Sequence, residues 1–182
     1  MQEPDPPLGA ALHELNALDP RERPMLAAHW LARGLDSPSL RELAGLHGEE
    51  AEVNDYWHRA LEELGVLPLE RPRTIAAPWA AQRVLHGQQS VQWLLNLLWP
   101  SGDDEIPHEE PLDRIIYALD ELVSVWSSVA ETLPPRPGLL RRRRVETEAK
   151  RARDELERAD RAVQALAADD LQRAERVLSP HA

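Results

Sequence analysis

The sequence predicts an all-α protein: an N-terminal small helical module followed by a bundle of three longer helices, the last a heptad-bearing helix. Three observations carry that prediction. Apolar residues recur at three- and four-residue spacing along most of the chain, the period of an amphipathic helix. Prolines and glycines stand mainly where helices would open and close. No segment alternates apolar and polar residues with β-branched enrichment, as a half-buried strand would.

The first helix is marked by Leu8, Ala11, Leu12, Leu15 and Leu18. Asp19-Pro20-Arg21-Glu22 then supplies an N-cap, a first-turn proline and a capping-box glutamate. Pro24 follows so closely that the turn is kinked or the helix proper starts there. That second helix runs through Leu26, Trp30 and Leu31 to Gly34, a residue suited to the position after a helix end. Ser37-Pro38 opens a third, with Leu40, Leu43 and Ala44 inward and Gly48 as its end. A fourth, from about Glu50 to Leu64, buries Val53, Tyr56, Trp57, Ala60, Leu61 and Leu64 and stops at Gly65. These helices make residues 1–67 a module, and prolines mark residues 68–78 as a connector.

The bundle occupies 79–182. Its first helix spans Trp79 to Trp99, with Gly87 as a bend, and an acidic loop from Pro100 to Glu110 follows. Pro111 opens a helix with a wide apolar stripe from Leu112 through Ile115, Ile116 and Leu119 to Leu133. After the stiff segment 134–138, one long helix from Leu139 to Leu178 would span about 60 Å. Val145, Ala149, Ala152, Leu156, Ala159, Val163 and Leu166 form its seam, a four-three repeat set almost wholly among charges. Three of the seven are alanines, which let a neighbouring backbone approach closely. After Leu166 the apolar set shifts phase to Ala167, Leu171, Ala174 and Leu178, which rotates the seam. The helix is therefore expected to change partner near Asp169; the alternative is a break at Ala168-Asp169-Asp170.

Composition narrows the function classes. The 182 residues contain no cysteine, so disulfides and thiolate metal sites are excluded, and a reducing compartment fits. Phenylalanine is absent, leaving Leu, Ala, Val and six Trp to fill the core. The start of the chain is polar and Pro-rich, and no run approaches the roughly 20 apolar residues of a membrane span. A cytoplasmic protein is expected. The net charge is -11. Residues 1–138 hold 23 acidic and 10 basic side chains, against 9 and 11 in 139–182. That acidic bulk disfavours nucleic acid and favours a basic partner. Twenty of the 21 basic residues are arginine, a bias that looks like the codon usage of a GC-rich genome.

Candidate chemistry is sparse. Ser39 to Gly65 has the Ala44–Gly48 spacing of a helix-turn-helix, but Val53 falls one residue early. Glu49, Glu50, Glu52 and Asp55 occupy the would-be recognition helix, where phosphates repel them. Asp55, His58 and Glu62, with His47 and Glu50 nearby, have metal-compatible spacing. No Glu-x-x-His pair recurs on a second helix, so no metal is expected. The acidic loop with His108 lacks the ordered spacing of a calcium loop. No phosphate loop, nucleophile elbow or catalytic triad appears, so no catalytic residue, no cofactor and no enzyme activity is expected. Arg141, Arg142, Arg143 and Arg144 oppose the dipole of the helix they begin; a solvated run or an external anionic contact would relieve them.

Trp30 to Leu46 (WLARGLDSPSLRELAGL) and Ala60 to Gly65 (ALEELG) resemble a segment of small uncharacterised helical bacterial proteins from GC-rich genomes. The shared residues are caps and apolar faces, so the resemblance implies a packing pattern and carries no functional residue. The function expected from all of this is protein–protein interaction without catalysis, as an adaptor, an assembly subunit or a self-associating helical protein. The alternatives are an acidic immunity protein or antitoxin that neutralises a basic toxin, and a ligand-responsive helix-turn-helix-like regulator. The seam residues and the four arginines are the expected contact residues. The partner is another protein or a second copy of the chain.

Overall fold

Helix after helix follows the punctuation of the sequence in the computed structural model, which describes residues 3–99, 111–132 and 142–178. Among these residues there are α-helices and one 3₁₀ turn, and no strand. The chain divides into two compact units, Met1–Ala76 and Ala77–Ala182.

In the first unit, α1 (Pro6–Glu14) is capped by Asp5, whose carboxylate accepts the Leu8 N–H at 3.1 Å. Asp19 caps a 3₁₀ turn, Pro20–Glu22, and α2 (Arg23–Ala32) starts next to Pro24, as the second of the two sequence readings requires. Gly34, with φ of +88°, follows the end of α2. Ser37 caps α3 (Pro38–Ala44). This helix ends at Gly45 and not at Gly48, which lies in the following turn with φ of +91°. α4 (Val53–Glu63) begins three residues later than expected and ends before Gly65. Trp30 and Trp57, both fully buried, meet at 5.4 Å between ring centres, and Leu12, Leu40, Leu43 and Leu61 close the core around them.

The segment 68–78, read from its prolines as a connector, holds the start of a helix. α5 (Pro72–Leu85) starts inside it, because a proline at a helix start gives up only an N–H that has no intrahelical acceptor. Pro78 is tolerated further in, and Ala76, Ala77, Ala80 and Ala81 are all fully buried. The expected Trp79–Trp99 helix is two helices, since Gly87 (φ +67°) ends the first and Ser90 caps α6 (Val91–Leu98). α7 (Pro111–Thr132) and α8 (Arg142–Ala167) are the long helices of the second unit. The acidic loop 100–110 and the segment 133–141 lie outside the described residues.

The single long terminal helix is also corrected. It breaks after Ala167, and α9 (Leu171–Leu178) folds back to pack on both α7 and α8. The break is a Schellman end: Asp170 N–H reaches the Ala165 carbonyl, Asp169 N–H reaches that of Leu166, and Asp169 adopts φ of +58°. Asp170 then caps α9 by accepting the Arg173 N–H at 2.9 Å. The phase shift after Leu166 thus marks a new helix, because each helix needs its own register to bury its own face.

Candidate functional site

α8 carries the seam. From Ala159 onward it is packed: Ala159, Ala162, Val163, Ala165 and Leu166 are all buried. At about 100° per residue, these five sweep an arc from Ala165 through Ala162, Leu166 and Ala159 to Val163. Leu156 falls about 20° beyond Val163 on that wheel, and it is 51% exposed. A seven-residue repeat on a straight helix drifts by this amount per heptad, so seam and buried arc coincide near Leu166 and part toward the N-terminus. The Arg158 guanidinium donates to the carbonyl of Leu178 at 2.9 Å and to that of Val177 at 3.5 Å, which ties the last turn of α9 to α8.

The backbones of Arg142, Arg143, Arg144, Val145, Ala149 and Ala152 belong to α8, while their side chains, and Arg141 altogether, lie outside the described residues. Lys150, Arg153, Asp154, Glu157, Asp160 and Arg161 are exposed around Leu156. The other end of the helix is fixed by Gln82, which donates to the Ala167 carbonyl at 3.3 Å, and α9 is tied to α7 by the Arg114–Glu175 pair at 2.7 Å.

A second feature lies in the first unit. His13, Asn54, Asp55, His58, Arg59 and Glu62 line an open groove of about 590 Å³. Beneath it Arg23, only 4% exposed, donates to the Asn54 side-chain oxygen and sits 5.7 Å from the centre of the Trp57 ring. Burial pulls the Arg23 guanidinium below its ordinary pKa, against the field of Asp19. His13 meets Trp57 edge-on at 6.1 Å, and burial, then Arg23, then His58, lower its pKa. The lining offers no hydroxyl or thiol nucleophile. His58 and Glu62 approach only to 3.8 Å, and no three His, Asp or Glu side chains among the described residues gather in a metal-holding group.

Glu50, weighed as a ligand from its spacing, does something else. Its carboxylate accepts the backbone N–H groups of His47, Gly48 and Glu49 at 2.9–3.1 Å, and those bonds, His47 foremost, lower its pKa. It closes the turn between α3 and α4. That turn, residues 45–52, is longer than the three or four residues joining the helices of a helix-turn-helix. Glu63 bonds the Ser39 hydroxyl and N–H at 2.7 and 3.0 Å and so caps α3 from outside. Nothing in the sequence distinguishes Arg23 or Glu63 from its charged neighbours; only the fold brings Asn54 and Ser39 to them.

The chain matches no protein-family model, no curated protein and no solved structure. Among the described residues, no helix is long and apolar enough to cross a membrane.

Proposed function

We propose that this chain is a non-catalytic protein–protein interaction protein and that α8 is its contact element. The observation that carries the reading is the half-exposed Leu156, midway along a 26-residue helix and in line with a seam whose other end is buried. A single exposed leucine is ordinary on a protein surface. This one continues a four-three repeat that the sequence extends through Ala152 and Ala149 to Val145, which is the pattern of a face covered by another helix. Small seam residues favour close approach, and the surrounding charges supply a polar rim.

Leu156→Asp tests it. The side chain is already half in water, so the melting temperature and urea midpoint should hold to within about 0.5 kcal/mol. Assembly mass by light scattering, or recovery of a bound protein from the native host, should fall sharply. Unchanged assembly and unchanged recovery would remove α8 as the contact element. The acidic excess in residues 1–138 favours a second reading, in which the chain masks a basic toxin surface as an immunity protein or antitoxin. That reading requires capture of one basic protein whose toxicity the chain abolishes.

A further inference from the structure

We propose that the groove on α4 in the first unit binds a small-molecule carboxylate, which the buried Arg23 guanidinium receives in place of Asn54. Arg23, 4% exposed, holds its cation 5.7 Å over the centre of the Trp57 ring. Its one side-chain hydrogen bond goes to the neutral Asn54 amide, and its Nε finds no acceptor among the described residues. Asp19 acts on it through space and forms no bond to it. Buried charges are ordinarily paired, because taking an ion out of water carries a large desolvation cost. Asn54 is exposed and lines the groove, so its side chain can swing into water without opening the core. A carboxylate in its place adds the attraction of opposite charges and, with two oxygens, can span two guanidinium N–H groups. No side chain caps the start of α4, so the first turn that holds Asn54 also favours an anion. The rest of the lining decides the class of anion. His13, His58 and Arg59 can donate to it, while Asp55 and Glu62 repel it. A singly charged ligand neutralises the guanidinium it meets; a doubly charged phosphate leaves an excess charge beside Asp55 and Glu62. The groove's volume of about 590 Å³ suits a small molecule.

Acetate, exchanged for chloride at constant ionic strength, is the probe, and nitrogen-edited NMR of the full chain is the readout. The Arg23 Nε–H and Asn54 side-chain amide signals should shift together and saturate at millimolar acetate. Inorganic phosphate at the same concentration should shift them less. Two variants at the exposed position 54 leave the core intact and separate the site from general screening. Asn54→Ala removes the competing amide, and its Arg23 Nε–H signal should report acetate binding at least as tight as in wild type. Asn54→Asp tethers a carboxylate beside Arg23 and should weaken acetate binding about tenfold or more. No saturable shift at Arg23, a stronger response to phosphate than to acetate, or equal acetate binding by Asn54→Ala and Asn54→Asp overturns the proposal. None of these outcomes bears on the reading of α8, which Leu156→Asp tests in the second unit.

Discussion

A Cβ built on Gly9 would lie 2.9 Å from Cζ2 of Trp30 and 3.3 Å from Cη2 of Trp57. α1 thus presses its backbone onto the indole pair, and the glycine is there for closeness. Gly9→Ala should destabilise the first unit by about 1–3 kcal/mol through overpacking, read as a lower urea midpoint at unchanged slope. Gly48 is constrained twice, by its positive φ and by the Arg21 Cα, which lies 2.5 Å from where its Cβ would be. The neighbouring indole face supplies a pH dependence. His13 titrates below its ordinary pKa of 6.5 because burial and the nearby cations disfavour its charged form. Above about pH 6.5 neither the folded nor the unfolded chain protonates it, and its contribution is fully present. As pH falls below that value the unfolded chain takes up a proton that the folded chain resists, so stability declines. The urea midpoint of wild type should therefore drop between pH 7 and pH 5 by more than that of His13→Gln; parallel curves would place His13 outside the titrating set.

At the scale of the element, helix ends decide the architecture. Asp169 holds a left-handed conformation that costs an L-residue with a side chain and suits glycine. Asp169→Gly should stabilise the second unit by about 0.5–1 kcal/mol, whereas Asp170→Ala, which removes the α9 cap, should destabilise it by about 1 kcal/mol. A chemical denaturation series on the two variants checks both signs. The same ends explain what could be read from the sequence. Ser37-Pro38, Asp19-Pro20, Gly34 and Gly65 mark real boundaries, since each acts within two or three residues, by a side-chain cap or a positive φ, and needs no tertiary partner. Pro72 misled because a proline that opens a helix and a proline that breaks one look alike until the following turn is seen to be buried. The break at Asp169 was visible as a phase shift, but a shift in register fits a new partner and a new helix equally well. The Trp30–Trp57 stack, the Arg23–Asn54 contact and the Glu63–Ser39 cap join residues more than 20 apart, and local pattern holds no trace of them.

At the scale of the molecule, two electrostatic effects oppose each other in any pairing of copies. Two chains of net charge -11 repel as wholes, while charge pairs at a close contact attract across a few ångströms. Range separates the two. The whole-molecule field acts over tens of ångströms and is largely screened once the Debye length falls to about 10 Å, near 0.1 M salt. Close charge pairs survive that screening and weaken only as the length approaches about 3 Å, near 1 M. Self-association should consequently pass through a maximum: stronger at about 0.1 M salt than at about 0.01 M, and weaker again at about 1 M. Sedimentation equilibrium at the three concentrations resolves this. A steady rise to 1 M would mean that apolar contact alone holds the copies together. A steady fall would mean that local pairs already dominate at low salt, with the acidic bulk of each copy turned away from the contact.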